Sequence, residues 1–314
     1  GSISNLGSQY VITLDAVNAG TGESLAREEV QAPSKESVLN SLHQAGSSLR
    51  KKLGESLASV QKYDKPLSEA TTSSLEALKA FSLGDVKHQS FDELSALPLY
   101  QHAVELDPNF AMAYARPGTV YNNLGQSELA EKNREKAFEL RDRASEHEKL
   151  YIMSHYYVDS GQLEKGITAL ELYKQTYPRD STPYNNLSVV YIMMGQYENA
   201  LDNARKAVQL DPDSASGYSN VAFAYAGLNR LDEAKATLNQ ALQHKAGAAV
   251  VHSSLATIAW LQGDPAGVKR ELDLMKNDPQ SEFTETGMRS AMAAYTGQLE
   301  AARTFGQKQR EAAQ

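Results

Sequence analysis

From residue 73 onward, bulky apolar and small side chains recur at steps of three and four, the spacing that gathers them on one face of an α-helix. Near the start the pattern is different. "QYVITLDAV" (residues 9–17) alternates apolar and polar positions with strand-forming composition, and "ESLAREEVQA" comes after "NAGTG". This predicts a β-hairpin whose loop holds Gly20 and Gly22. Ser34, after Pro33, is placed to cap a helix with Val38, Leu42, Ala45, Leu49 and Leu53 along one side. A lone hairpin plus one helix is marginal as a domain. It must therefore dock onto the helices C-terminal to it or pair with strands upstream of residue 1. The expected organisation is 1–62, a β-hairpin plus helix left from a small α/β domain; 63–72, a linker; and 73–314, a helical array.

Within the array the helical pattern itself repeats. "YNNLSVVY" at 184–191 and "YSNVAFAY" at 218–225 place Tyr184 and Tyr218, Asn186 and Asn220, and Tyr191 and Tyr225 each 34 residues apart. Ala200 and Ala207 recur as Ala234 and Ala241. Upstream, Tyr114, Gly118, Tyr121, Ala130 and Ala137 fill the same slots, as do Gly84, Ala96, Tyr100 and Ala103. Units begin near 77, 111, 147, 181, 215, 249 and 283, and only the step from 111 to 147 is longer, at 36. That step contains the charged run "EKNREKAFELRDRASEHEK", which predicts an extended second helix with Glu128–Lys132 and Glu139–Arg143 ion pairs on its exposed side.

A fixed period of this length is explained by two antiparallel helices per unit. The first carries aromatic, apolar and small residues in one stripe. Gly125, Gly161, Gly195 and Gly263 share one phase, where a helix ends and a left-handed residue is needed. The second helix presents alanines that allow close approach, and "LDP" at 106–108 and 210–212 stops it. The pattern loosens near the end, where Val268 and Met275 replace the alanines, as expected of terminal units.

These slots resemble the tetratricopeptide repeat (TPR) family over residues 73–314. The resemblance implies a mainly α fold: a right-handed superhelix of about seven helical hairpins, with a concave face lined by the first helix of each. The N-terminal segment, through "LGESLASVQKYDKPLSEATTSSLEALKAFSLG", resembles the C-terminal region of acidobacterial-type serine/threonine protein kinases. In that family a kinase domain precedes this region, often with a membrane helix between them. The resemblance implies the sensor or scaffold part of a signalling protein. The sequence alone does not name a compartment: the resemblance implies a place outside the cytoplasm if an upstream membrane helix exists, and a cytoplasmic one otherwise.

Composition narrows the chemistry. A formal net charge of −8, with acidic and basic residues interleaved, gives no concentrated basic face for nucleic acid. There is no cysteine, so disulfides and thiol catalysis are excluded. Ser181 to Tyr197 and Ala246 to Gly263 lack Asp, Glu, Lys and Arg but are too rich in Ser, Thr, Asn, Gln and His for a membrane span. Kinase catalytic elements are missing: Arg141-Asp142 lacks the preceding His and the downstream Asn, and "GTGESL" lacks the third glycine of a dinucleotide loop. His147 and His155 are eight apart, too far along one helix for one zinc ion. His252 stands in an aromatic slot, which predicts core packing. No catalysis, metal or cofactor is expected.

The expected partner is a protein or peptide. In this phase the inward side chains of the first helices are Arg116, Asn122 and Asn123, then Tyr151 and His155, then Asn185, Asn186, Asn220, Phe223 and Trp260. A primary amide both donates and accepts, so Asn186 and Asn220 at equivalent places can satisfy a peptide backbone, or bond neighbouring turns and water instead. TPR capture of a C-terminal carboxylate is disfavoured, because Asn186 fits its middle member but the flanking cations are missing. The alternatives are self-association of the array as a scaffold and a small-molecule sensor where the hairpin meets the first repeats.

Overall fold

The computed structural model describes residues 1–7, 9–18, 21–54, 71–243, 247–275 and 281–312. The predicted boundary at 62/63, most of the 63–72 linker and Gly20 lie outside them. Two compact units are formed: one from residues 1–85, 96–117 and 133–152, the other from 86–95, 118–132 and 153–314.

The first unit contains the sheet. Strands β1 (Ser2–Leu6), β2 (Gln9–Val17) and β3 (Ser24–Ala32) are antiparallel in the order β1-β2-β3. Ile12 pairs with Ile3 on one side and Val30 on the other. The predicted hairpin is thus the β2–β3 half of a three-stranded sheet. β1 escapes detection because "SISNL" is short and exposed along its whole length, so burial imposes no alternation on it. Gly22 lies in the β2–β3 loop with φ +73°, donating to the Asn18 carbonyl at 2.8 Å.

After Ser34 a 3-10 turn (Lys35–Ser37) leads into α1 (Val38–Lys52), and the Ser34 backbone N–H donates to Ser37 Oγ at 3.1 Å. Helix α1 packs on β2 and β3. Ile12, Ala32 and Val38 form the buried centre, with Tyr10, Val30, Leu42 and Leu75 against them. Leu75 and Glu76 belong to the first repeat helix, and Lys35 forms an ion pair with Glu76. The small N-terminal segment thus packs on the start of the first repeat helix.

Fifteen α-helices occur among the described residues, and the fourteen after α1 pair into seven hairpins. They are α2 (Leu75–Gln89) with α3 (Glu93–Leu106), α4 (Met112–Asn123) with α5 (Ser127–Leu140), and α6 (Glu146–Asp159) with α7 (Leu163–Thr176). Then come α8 (Thr182–Met193) with α9 (Tyr197–Leu210), α10 (Ala215–Gly227) with α11 (Leu231–Ala241), α12 (Ala248–Leu261) with α13 (Pro265–Met275), and α14 (Glu282–Tyr295) with α15 (Leu299–Ala312). These are the seven units the period predicts.

Each first helix ends on a left-handed residue. Gly125, Gly161, Gly195, Gly263 and Gly297 have φ between +69° and +77°. In the remaining two hairpins Phe91 (φ +60°) and Asn229 (φ +58°) hold the same slot. Asn tolerates this backbone, whereas a bulky Phe there is uncommon and strained.

Two expectations are corrected. The long step at 111–147 does not extend an α-helix: α5 stops at Leu140 and the extra residues form a 3-10 turn, Arg141–Arg143. Arg141 closes it by donating to the Phe138 carbonyl at 2.6 Å. Since Arg143 has left the helix, Glu139 pairs with Lys136 (3.0 Å) in place of the predicted Arg143. His252 is not simply packed in apolar surroundings. Its Nδ1 lies 2.9 Å from Oε2 of Glu271, a carboxylate only 7% exposed, whose other oxygen takes the Arg270 guanidinium at 2.8 Å. Replacing the aromatic ring of this slot by an imidazole gives the second helix of the hairpin a partner for a buried carboxylate.

The second unit holds an extended cluster of apolar contacts. Ala200, Ala204, Ala215, Ala222, Ala234 and Ala241 bring helices close, while Leu201, Tyr218, Tyr225, Leu238, Val251 and Ile258 fill the gaps between them. Tyr191 bridges this cluster and the next, which is centred on Leu170, Leu187 and Val190.

Candidate functional site

Within the second unit the first helices α8, α10 and α12 pack side by side. Their half-buried polar groups make a directed hydrogen-bond chain. Asn220 Nδ2 donates to Asn185 Oδ1 (2.9 Å), Asn185 Nδ2 to Asn186 Oδ1 (3.2 Å), and Asn186 Nδ2 lies 3.3 Å from His155 Nε2. Predicted residues Asn185, Asn186, Asn220 and His155 are thus brought together. Asn186 and Asn220 do not touch each other; Asn185 stands between them.

Each of these amides keeps one donor hydrogen beyond the chain, and Asn220 keeps its carbonyl oxygen. Phe223, one turn beyond Asn220, is half-buried. Trp260 on α12 meets Tyr295 edge-on, ring centroids 5.0 Å apart at 89°. At the end of α4, Asn122 and Asn123 are exposed, and Asn123 Nδ2 donates to Glu93 Oε1 at 2.8 Å.

Arg116 and Tyr151 belong to the first unit and form a separate group. Arg116 Nη1 donates to the Tyr151 hydroxyl (3.0 Å), and its guanidinium stands 4.6 Å from that ring's centroid. Arg116 Nε is 3.3 Å from Asp85 Oδ1, which also accepts from the Tyr100 hydroxyl at 2.7 Å. Burial, then the Asp85 charge and hydrogen bond, push the Tyr100 phenol well above the usual tyrosine range. Tyr151 is only 5% exposed, so it does not line an open surface as expected. It anchors Arg116, and Arg116 answers Asp85. Sequence reasoning missed Asp85 and Tyr100. The available signal was a carboxylate and a guanidinium on the inner stripes of consecutive first helices, where each needs a counter-charge.

Among the described residues no group of three or more His, Asp or Glu side chains is arranged to hold a metal ion. No helix there is long and apolar enough to cross a membrane.

The repeat architecture is matched by known families. Models described as tetratricopeptide repeat match residues 191–281 and 99–132. Similar solved structures include a thermophilic TPR protein of Thermus thermophilus, at 22% identity over 54% of this chain and 91% of that one, TM-score 0.45. Another is a tetratricopeptide repeat protein of Parabacteroides merdae, at 13% identity over 76% of this chain and 94% of that one, TM-score 0.49. A third is PilW, a type IV pilus biogenesis factor, at 13% identity over 65% and 94%, TM-score 0.45. No curated protein matches the chain. Slots, hairpins and matched models agree over residues 99–132 and 191–281, which match tetratricopeptide repeats and lie within an array of seven TPR-like helical hairpins.

Proposed function

We propose that this chain is a non-catalytic interaction module that binds an extended peptide or protein along the first helices of its repeats. TPR proteins are generally interaction modules. The observation that carries the reading here is the line of half-buried Asn185, Asn186 and Asn220 with Phe223 and Trp260 alongside, amide groups with unused hydrogen-bonding capacity beside aromatic rings. The test is a peptide selected on the chain from a display library and titrated calorimetrically. Asn186→Ala combined with Asn220→Ala should weaken it by about tenfold, the worth of one to two hydrogen bonds. An unchanged affinity counts against this face.

The N-terminal segment supports a more specific context: the sensor or scaffold region of a bacterial serine/threonine kinase. The segment resembles that family, and its sheet is tied to the first repeat through Leu75 and the Lys35–Glu76 pair. Reading the gene upstream of residue 1 tests this. A kinase-encoding segment is expected, and a different domain there sinks the assignment.

A further inference from the structure

The second unit separates charge by helix. Helices α8 ("TPYNNLSVVYIM"), α10 ("ASGYSNVAFAYAG") and α12 ("AAVVHSSLATIAWL") contain no Asp, Glu, Lys or Arg. Their partners in the same hairpins carry Glu198, Asp202, Arg205 and Lys206 on α9, Asp232, Glu233 and Lys235 on α11, and Lys269, Arg270, Glu271 and Asp273 on α13. Burial alone does not account for this. On the three uncharged helices Asn185, Asn186, Asn220, Phe223 and Trp260 are half-buried, and Met193, at 63% exposure, is open to solvent. The imidazole of His252 is turned to Glu271. On α14 charge returns: Arg289 is paired with Glu285 and Asp273, and Glu282 stands exposed in the first turn.

Resting on the interaction reading above, we propose that the face of α8, α10 and α12 selects a stretch of partner polypeptide that carries no formal charge. A charged side chain laid here would lose water and meet no counter-charge on these three helices, so its desolvation would go uncompensated. An uncharged segment loses little. Its backbone amides find the spare donors of Asn185 and Asn186 and the spare oxygen of Asn220, and its apolar side chains find Phe223, Trp260 and Met193. Three helices side by side at roughly 8–10 Å spacing span about 25–30 Å, which is about eight residues of extended chain. Attraction of this kind is insensitive to salt, because no long-range Coulomb term brings the partners together.

The experiment is panning of a random dodecapeptide phage library on the whole chain, followed by sequencing of the enriched pool. The expected pool is depleted of Asp, Glu, Lys and Arg at least about threefold against the input, the lower end of what a partial desolvation penalty gives. A synthetic peptide from it should perturb the emission of Trp260, the chain's single tryptophan, with a Kd that changes less than about twofold between roughly 50 and 500 mM NaCl. Pools selected on Asn220→Asp, and on the exposed-site variant Met193→Glu, should gain Lys and Arg. A charge-rich pool from the unmodified chain, or a strongly salt-dependent Kd, overturns the proposal and leaves the interaction reading standing. No enrichment over a blank surface removes both.

Discussion

The side-chain amide of Asn220 donates to Asn185 across 2.9 Å, joining residues 35 apart in a chain that repeats every 34. Ser254 and Ser219 repeat the relationship at 2.9 Å one hairpin later, again 35 apart. A double-mutant cycle with Asn185→Ala and Asn220→Ala should give a coupling of about 0.5–1 kcal/mol in thermal or urea unfolding. Strict additivity would mean that the contact does not persist in solution.

Tyr100 should make stability fall at alkaline pH. Its folded pKa lies above the ordinary value near 10, so its stabilising effect is complete below about pH 10 and is lost as pH rises beyond that. Tyr100→Phe, which removes the donor to Asp85, should cost about 1.5–3 kcal/mol at neutral pH. The gap in melting temperature between the two proteins should then narrow progressively as pH rises above about 10. A gap independent of pH would show that the phenol is not held neutral by its surroundings.

Gly227 ends α10 directly against the ring of Tyr197. A methyl group there would overlap the ring, so Gly227→Ala should destabilise by about 1–3 kcal/mol, and pairing it with Tyr197→Leu should recover most of the loss. Equal cost in both backgrounds would locate the effect in the backbone.

Leu238 is fully buried within the cluster around α10 and α11, and Leu238→Ala should cost about 2–5 kcal/mol. Chemical denaturation at constant m-value is the appropriate readout. A loss below about 1 kcal/mol would contradict close packing of α11 there.

Much of the fold was readable because its rules are local. The stripe of Tyr218, Val221, Ala222 and Tyr225 is set by helical periodicity, and Gly125 or Gly195 mark helix ends because few other residues adopt a left-handed backbone without strain. Phe91 in the equivalent slot was invisible for the same reason, since its chemistry argues against the conformation it holds. The 3-10 turn at Arg141–Arg143 was hidden by residues that favour helix, and two extra residues can be absorbed in several ways. In the candidate site, the equivalence of Asn186 and Asn220 came directly from the period. Their actual partners did not, because those depend on how neighbouring helices lean. Tyr151 and Arg116 were placed on the right helices, but the burial of Tyr151 depends on a tertiary surround that one helix's pattern does not contain.

Phe91 gains in packing what its backbone loses. Its ring rests against Gly247 and packs on the apolar cluster of the second unit, and Phe283 similarly reaches toward Gly125. Stacked hairpins ordinarily touch only their immediate neighbours and can fray one after another from an end. These two rings staple together stretches well over a hundred positions apart, so the second unit should melt as one cooperative block, and slow amide exchange at residues 86–95 should be lost together with that around Val251.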